Sequence, residues 1–383
     1  MSKTHDKADK IAVGIICDEA GSLFEGGTSL PRFGGAGLHM YLLGKGLSAN
    51  PRYDVRFIFT YTPPVNLHED NISFIWLKTV SHALERRLAR WIPPLRNALG
   101  ARPYRNLPEK RVFITTMADF APHLIEQANY AEAKTIFQTA CELDVTQPYE
   151  RTPEDGAVLL DTIAACDQVF VQTEAQRDNL RANRGKDSIA VHKGWPAPLR
   201  RPSISGRDYV LWVGSAQMVK QPWLFFDTAR LLPDIPFVGV MPPAVKSVAD
   251  YARRQASELP NVTLIDKQLG YREVQEYFGK AAVYLYTTEF GTHPELTVIQ
   301  AAVGGAAIVS ERLDPDDGMF VRKECGLVTG VGANRLAAGI TTVLDDVALR
   351  ETHTQNAFDY VAHHYSYEGM IEAYEEVIDG FFA

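Results

Sequence analysis

The stretch "YLYTTEFGTHPELTVIQAAVGGAAIV", residues 284–309, contains the alternation that decides the fold. An apolar run typical of a buried strand leads into a loop, and a helical pattern, a glycine pair and a second apolar run follow. Strand, helix and strand in this order form the unit of a parallel α/β sheet, whose ligands bind at the carboxyl ends of the strands. Units of this kind often bind a phosphate, so the acids Glu289 and Glu295 are unexpected in the loop because they repel anions. The helix, which could have carried an acid, has the neutral Gln300.

The same alternation runs through the whole chain of 383 residues, which exceeds the roughly 250–300 at which single cores stop growing. Twelve apolar runs predict strands: 11–17, 54–61, 72–77, 111–117, 134–140, 168–173, 188–194, 208–214, 236–241, 262–266, 282–288 and 306–310. Residues 195–207 contain three prolines and no periodicity, which predicts a linker. We therefore predict two Rossmann-like, doubly wound parallel-sheet domains at 1–200 and 201–358. A C-terminal helix at 359–383 is expected to pack back toward the first domain.

Composition excludes several classes of protein. The net charge of −8 argues against a broad nucleic-acid surface, which would need clustered Lys and Arg. The four cysteines form no CxxC pair, so neither a zinc site nor a disulfide framework is expected. The polar start "MSKTHDKADK" precedes an apolar run of only seven residues, which is too short for a signal peptide or membrane span. We expect a cytoplasmic protein.

The stretch "FGGAGLHMYLLGKGL", residues 33–47, brings glycines to the mouth of the first predicted helix. Gly34, Gly35 and Gly37 permit a tight turn, and a helix start offers N–H groups to an anion. The spacing does not match the GxGxxG fingerprint of dinucleotide-binding domains, so NAD is not favoured. The alternative is a purely structural loop.

Two further helix starts suit an anion. In "VLWVGSAQMVKQPWLFFDTARLL", residues 210–232, Lys220 follows the turn and can reach back over the strand ends to a phosphate, although a solvated lysine is the alternative. The second start lies within 294–297, where Thr297 and neighbouring N–H groups can hold a diphosphate. Gln300, about one turn further on, can bond a ribose or sugar hydroxyl.

The order of these motifs resembles the retaining GT-B glycosyltransferases of family 4. The resemblance rests on "DYVLWVG", "LTVIQAAVGGAAIVS" and "CGLVTG" in the C-terminal half, and on "FGGAGLHMYLLGKGL", "CDQVFVQTEAQRDNL" and "SIAVHKGW" in the N-terminal half. It implies two domains that face a cleft, with a nucleoside diphosphate sugar bound mainly by the C-terminal domain and an acceptor on the N-terminal domain. It also implies transfer without a metal or another cofactor.

The resemblance assigns roles to the donor-side residues. Lys220 matches the family's phosphate lysine, and the Gly-rich turn before it includes Gly214. The family's arginine falls at Ser215, so one countercharge is missing. At the second helix start, the N–H groups of Leu296 and Thr297 would contact the diphosphate.

The family's two glutamates have no single match in this sequence. An ungapped alignment puts them at Thr292 and Gln300, whereas matching "EFG" makes Glu289 the first acid, near the donor sugar. The second acid contacts the ribose. Glu295 takes the position of a small residue, and it either faces sugar hydroxyls or is an acid favoured by the helix dipole.

Three residues of the N-terminal domain are acceptor-side candidates. Asp119 and His123 follow a predicted strand, and Asp119 can orient or deprotonate a hydroxyl or cap the following helix. Asp144 follows the next predicted strand.

Residues 78–111 contain nine Lys and Arg against two Glu, a charge of +7, which leaves −15 for the rest. This segment can form a basic amphipathic helix that lies on an anionic membrane, or a solvated helix packed on the N-terminal sheet. The acidic motif "LDPDDG", residues 313–318, has a turn composition, and no metal site is predicted there.

The sequence thus predicts a metal-independent transferase that moves a sugar from a nucleoside diphosphate sugar to a small or lipid-linked hydroxyl acceptor with retention. The alternative is a degenerate, non-catalytic GT-B module that binds a sugar or a partner, because Ser215 and Gln300 depart from the family pattern.

Overall fold

A computed structural model describes residues 10–27, 33–60, 66–77, 101–116, 121–146, 153–289 and 294–383, and elements are numbered within these ranges. The chain divides into two units. The first comprises Met1–Gly194 and Glu368–Ala383, and the second comprises Trp195–Tyr367. The division thus falls at the start of the proline-rich segment that the sequence identified as a linker.

The first unit contains a parallel sheet of seven strands in the order β3-β2-β1-β4-β5-β6-β7. Its strands are β1 (Ile11–Ile16), β2 (Tyr53–Phe59), β3 (Ile72–Trp76), β4 (Lys110–Thr116), β5 (Lys134–Gln138), β6 (Gln168–Val171) and β7 (Ile189–Ala190). The helices that follow these strands are α1 (Gly35–Ser48), α2 (Ala121–Ala131), α3 (Leu143–Thr146), α4 (Pro153–Ala164) and α5 (Glu174–Arg184).

Burial explains why these apolar runs form strands. All six residues of β1 are buried, as expected for a strand covered by helices on both faces. One core cluster joins Phe113 and Phe137 of the sheet to Leu124 of α2 and Ile163 of α4, all fully buried. Each such side chain contributes about 1.5–3 kcal/mol relative to exposure.

The second unit contains a parallel sheet of six strands in the order β10-β9-β8-β11-β12-β13. Its strands are β8 (Tyr209–Val213), β9 (Phe237–Val240), β10 (Val262–Ile265), β11 (Ala281–Tyr286), β12 (Ala307–Ser310) and β13 (Leu327–Val328). Its helices are α6 (Pro222–Leu231), α7 (Lys246–Glu258), α8 (Tyr271–Lys280), α9 (Leu296–Gly304), α10 (Pro315–Gly318), α11 (Ala333–Asp345) and α12 (Val347–His364). The prediction of two doubly wound parallel sheets is therefore confirmed.

The glycine pair of residues 284–309 ends α9. Gly305 adopts φ 74°, a left-handed conformation that suits glycine, and its N–H bonds the last carbonyls of the helix. Gly304 packs so closely that an added Cβ would lie 2.8 Å from the Cβ of Phe278. The pair therefore lets α9 end beside α8 and the chain turn directly into β12.

The last helix, α13 (Tyr367–Gly380), contacts the first unit through the part that begins at Glu368. The buried Tyr374 packs edge-on against Phe170, at 4.5 Å between ring centroids, and its hydroxyl donates to Gln138 Oε1 at 2.9 Å. Arg52 forms an ion pair with Asp379 at 2.7 Å. These contacts fix the C-terminal helix to the sheet of the first unit.

In each sheet the strand order reverses once, between β1 and β4 in the first unit and between β8 and β11 in the second. Ligands of such sheets bind at the carboxyl ends of the strands beside the reversal, which is called the switch point. Ligand-binding residues are therefore expected at these two switch points. Within the described ranges, no helix has both the length and the apolar character needed to cross a bilayer.

Candidate functional site

An ion pair occupies the switch point of the second sheet. Lys220 follows β8 and Glu295 directly precedes α9, so each lies just beyond a strand that borders the reversal. Lys220 Nζ lies 2.7 Å from both carboxylate oxygens of Glu295. Both side chains are about one-quarter exposed, at 23% and 25%. The lysine predicted to contact a phosphate is thus bound to an acid of its own domain.

The loop that carries Lys220 is attached to the end of β11 by three hydrogen bonds. Thr287 Oγ1 donates to the Lys220 carbonyl at 2.7 Å, and the Glu289 N–H donates to the Val219 carbonyl at 2.9 Å. Gln221 has the left-handed angles φ 49° and ψ 55°, which are uncommon for this residue type, and its Nε2 donates to the Thr287 carbonyl at 2.9 Å. These bonds fix the backbone from which Lys220 projects.

Glu295 is the N-cap residue of α9 by its backbone, with φ −65° and ψ 157°. Its carbonyl accepts the first helical bonds, from the N–H groups of Val298 and Ile299 at 2.9 and 3.2 Å. Its side chain makes no capping hydrogen bond. The carboxylate therefore bonds Lys220 instead of the helix, an arrangement that the sequence analysis did not consider.

Two buried tyrosines lie close to the charge of Glu295. Burial, and then the charge of Glu295, raise the pKa of Tyr284 and Tyr286, so both hydroxyls stay protonated. The hydroxyl of Thr297, in the first turn of α9, is also buried and lies beside the hydroxyl of Tyr284. The start of α9 therefore offers neutral hydroxyl groups beside the ion pair.

The residues proposed to replace the family's two acids lie in different settings. Glu289 is exposed just after β11, and its negative charge acts on the nearby Arg312. Gln300 is buried in α9, and its backbone carbonyl accepts from Gln275 Nε2 at 3.2 Å. Thr292 lies outside the described residues.

The turn before Lys220 carries no cation of its own. The Gly214 N–H donates to the Val240 carbonyl at 3.1 Å, and the Ser215 carbonyl accepts from the Gln217 N–H at 2.8 Å. An added Cβ on Gly214 would lie 3.0 Å from the ring of Trp212, which favours glycine here. Ser215 therefore supplies a hydroxyl where the family has an arginine.

A second charged pair follows β12, and the sequence analysis missed it. Arg312 Nε donates to Glu311 Oε2 at 2.9 Å, and Glu311 is only 1% exposed. The signal was available, because both residues follow directly on a buried run at the carboxyl end of a predicted strand. Lys220 and Arg312 therefore lie among the carboxylates of Glu289, Glu295 and Glu311 at the ends of β8, β11 and β12.

In the first unit, the Gly-rich turn encloses Glu19. Gly34 is the N-cap residue of α1, and its N–H donates to Glu19 Oε2 at 3.2 Å. An added Cβ on Gly37 would lie 2.8 Å from the Cβ of Glu19. Burial raises the pKa of the Glu19 carboxyl, although bonds from the Gly34 and Gly37 N–H groups oppose this. Gly35 begins the helix, and the missed signal was the pair of acids after the first predicted strand.

His123 lies in the first turn of α2, near the switch point of the first sheet. Burial lowers its pKa, while the charges of Glu126 and Asp18 act in the opposite direction. Its Nδ1 lies 3.9 Å from Glu126 Oε2. Asp18 follows β1 and accepts from the Thr60 N–H at 2.7 Å. The structure thus brings His123 close to an acid at the switch point, while Asp119 lies outside the described residues.

Asp144 has a local structural contact. Its buried carboxylate accepts from the Ala140 and Cys141 N–H groups at 2.5 and 3.0 Å, which fixes the turn after β5.

His39, a buried histidine of α1, was not singled out by sequence. Burial, and then the charge of Lys193, lower the pKa of His39 to about 3. Lys193 Nζ donates to the Ala140 carbonyl at 3.3 Å.

The carboxylates of the acidic motif at 313–318 accept hydrogen bonds from other residues of the second unit. Asp314 accepts from the N–H groups of Phe320 and Val321, and Asp316 accepts from the hydroxyls of Tyr360 and Tyr365. Across the described residues, no cluster of three or more His, Cys, Asp or Glu has a metal-binding arrangement. Of the basic segment 78–111, residues 78–100 lie outside the described residues.

No protein-family model and no curated protein matches this sequence. Solved structures do match. HepE of Anabaena in complex with UDP and glucose has TM-score 0.70 and 11% identity, covering 96% of this chain and 99% of that chain. Sucrose-phosphate synthase from Thermosynechococcus elongatus has TM-score 0.73 and 16% identity, covering 97% and 99%. The E. coli trehalose-6-phosphate structure bound with UDP-2-fluoro glucose has TM-score 0.64 and 12% identity, covering 96% and 98%.

These structural neighbours are GT-B glycosyltransferases, and the likeness extends over nearly the full length of both chains. At this level of identity the likeness concerns the fold. The chain therefore has the two-domain, parallel-sheet fold of the GT-B glycosyltransferases.

Proposed function

We propose that the protein is a retaining, family 4-like glycosyltransferase that moves a sugar from a nucleoside diphosphate sugar to a hydroxyl acceptor, without a metal. The observation that carries the proposal is Lys220 beside the start of α9 at the switch point of the second sheet, on a loop fixed by three hydrogen bonds. HepE, which has the same fold, binds UDP and UDP-glucose. A nucleotide sugar is therefore the proposed donor.

In the proposed reaction, the bond from sugar C1 to the diphosphate oxygen breaks and a bond from C1 to the acceptor oxygen forms on the same face. The acceptor proton passes to an oxygen of the departing diphosphate, so no covalent intermediate with the protein is needed. Negative charge develops on the diphosphate. Lys220 Nζ and the N–H groups of Leu296 and Thr297 stabilise that charge, a contribution that usually dominates in such sites.

The remaining proposed roles follow the chemistry of the side chains. Glu289 acts near the donor sugar, and Gln300 accepts a hydrogen bond from a ribose hydroxyl through its amide oxygen. Asp119 orients the acceptor hydroxyl, whose proton passes to the diphosphate, and His123 acts beside it. Three glycines of the first unit share one proposed role, which is to give the ligand close access to the start of α1. They are Gly34, Gly35 and Gly37.

A second candidate is a non-catalytic GT-B module that binds a sugar or a partner. One observation favours it: Lys220, the cation needed by a departing diphosphate, is held by both oxygens of Glu295. With Ser215 in place of an arginine, the described residues beside Lys220 bring more carboxylates than cations. Such a module would bind a sugar without releasing a nucleotide.

A panel of UDP-, GDP-, ADP- and dTDP-sugars distinguishes the two candidates. The transferase should release the matching nucleoside diphosphate, either to an acceptor or slowly to water, and proton NMR of the product should show the anomeric configuration of the donor. Release should disappear in Lys220→Ala. A protein that gains thermal stability with sugars but releases no nucleotide from any donor would instead be the module.

The acceptor is proposed to be a small or lipid-linked hydroxyl compound in the cytoplasm, and nucleic acid is not a proposed partner. For a lipid-linked acceptor, the basic segment 78–111 would contact the inner membrane face. Flotation with phosphatidylglycerol vesicles tests this contact. Replacing Arg86, Arg87 and Arg90 by Gln should abolish flotation, and failure of the wild-type protein to float would contradict it.

A further inference from the structure

The contact between Lys220 and Glu295 has the geometry of a lysine bound to an oxyanion. Both carboxylate oxygens lie 2.7 Å from Nζ, within the usual range for a charge-assisted hydrogen bond. A diphosphate oxygen bound to Lys220 would need the same donors. The carboxylate of Glu295 and a ligand phosphate would also repel each other at this distance. The two anions therefore compete for one lysine.

Glu295 can leave Lys220 without breaking α9. The first helical hydrogen bonds are made by its backbone carbonyl, and its side chain makes no capping bond. The pair is one-quarter exposed, so water can solvate the carboxylate after it rotates away. Lys220, by contrast, projects from a loop with three hydrogen bonds to β11. The acid is therefore the partner that moves.

We infer that Glu295 is an internal competitor of the donor diphosphate, bound to Lys220 in the free protein and displaced when the nucleotide binds. The identity of the displacing ligand rests on the proposed function. Displacement takes up part of the binding free energy, so Glu295 weakens the affinity for every diphosphate ligand. A role in binding sugar hydroxyls predicts the opposite, because the acid would then add to affinity.

Isothermal titration calorimetry with UDP and with inorganic pyrophosphate tests the inference. Glu295→Gln keeps the size of the side chain and removes its charge. It should tighten both ligands about tenfold relative to wild type, which corresponds to about 1.4 kcal/mol. The gain should vanish when Lys220→Met is combined with Glu295→Gln. Glu273→Gln is the matched control, because Glu273 is an exposed acid in the first turn of α8, and it should change neither affinity.

Each outcome decides one of the two proposals. If wild type binds UDP and Glu295→Gln binds both ligands equally well or more weakly, the competition is wrong and the proposed function stands. If pyrophosphate binding tightens but no nucleotide binds any variant, the nucleotide-sugar donor is wrong and the competition stands. If the tightening persists in the double variant, Lys220 is not the contested group and the inference fails. Melting temperatures confirm that each variant is folded.

Discussion

The starts of α1 and α9 are similar positions that use a glutamate differently. Each helix follows a strand beside the switch point of its sheet. At α1, the carboxylate of Glu19 accepts directly from the N–H of the N-cap residue, Gly34. At α9, the carboxylate of Glu295 makes no bond to the helix and binds Lys220 instead. One acid caps a helix, and the other neutralises a cation.

This difference separates a structural acid from a displaceable one. Glu19 is packed against Gly37, where there is no room for even one added carbon atom, and burial raises its pKa. Glu295 is one-quarter exposed and its helix does not depend on its side chain. The second unit therefore retains a cation and a helix start that a diphosphate can reach after one side-chain rotation. This difference supports the proposal that the donor binds to the second unit.

The largest expected effect comes from removing Lys220, the cation that Glu295 neutralises. Lys220→Ala should lower turnover of the nucleotide sugar at least about 100-fold, because loss of one group that stabilises developing charge typically costs this much. Stability should change little, since partly exposed ion pairs contribute about 1 kcal/mol or less. Steady-state kinetics and thermal melting measure the two effects.

Lys246→Ala is the control, because Lys246 begins α7 in the same unit and its side chain is 90% exposed. It should leave turnover unchanged. Near-wild-type turnover in Lys220→Ala would remove Lys220 from the mechanism.

The next effect tests how tightly α1 packs against Glu19. A methyl group at Gly37 would lie 2.8 Å from Glu19 Cβ and 3.1 Å from its backbone carbon, so Gly37→Ala should cost about 1–3 kcal/mol of unfolding free energy. At Gly279, in α8, an added Cβ meets nothing within 4 Å. There the same substitution should stabilise by up to about 1 kcal/mol through helix propensity. Urea unfolding measures both, and equal effects at the two glycines would contradict the packing argument.

A buried histidine on α1 makes the first unit sensitive to acid. Burial lowers the pKa of His39 in the folded protein from its ordinary value of 6.5 to about 3, so the unfolded chain binds the additional proton as pH falls. Stability is therefore complete above pH 6.5 and is lost progressively toward pH 3. Between pH 7 and pH 5 the loss attributable to His39 is about 2 kcal/mol.

The variant His39→Met cannot titrate at this position. Between pH 7 and pH 5 it should therefore lose about 2 kcal/mol less unfolding free energy than the wild type, as measured by urea unfolding at both pH values. An identical pH dependence in the variant and the wild type would mean that folding does not lower the pKa of His39.

The smallest effect concerns Glu19 itself. Its folded pKa is raised, so the folded protein binds the proton more readily, and stability falls as pH rises through the folded pKa. Glu19→Gln removes the buried charge and keeps an acceptor for the Gly34 N–H. It should therefore raise the unfolding free energy at pH 7 slightly, by less than about 1 kcal/mol. A loss larger than this would show that the ionised carboxylate stabilises α1.

The fold could be predicted from sequence because most of its strands are rich in apolar residues and alternate with helical patterns. All twelve predicted strands are present, with ends that differ by a few residues. The additional strand, β13, has two residues, Leu327 and Val328, which is too short for a periodic pattern. The linker was predicted because residues 195–207 combine three prolines with no apolar periodicity, and the second unit begins at Trp195.

The site was only partly predictable. Lys220 and the start of α9 were predicted because each follows a predicted strand at a helix start, where a lysine or free N–H groups suit an anion. The ion pair was not foreseen, because Lys220 and Glu295 are 75 positions apart and their contact depends on the path of two irregular loops. The hydrogen bond that the Gly34 N–H donates to Glu19 was missed because it too depends on the path of an irregular loop. Sequence patterns report which side chains reach a sheet edge, but they do not report where those side chains point.

The central claim is that the second unit binds a nucleoside diphosphate through Lys220. Its most direct test is isothermal titration calorimetry of the wild-type protein and Lys220→Ala with UDP, GDP, ADP and dTDP. One of the four should bind the wild type with one molecule per chain, and Lys220→Ala should weaken that binding at least tenfold. Absence of binding by all four, or equal affinity in the two proteins, would contradict the account.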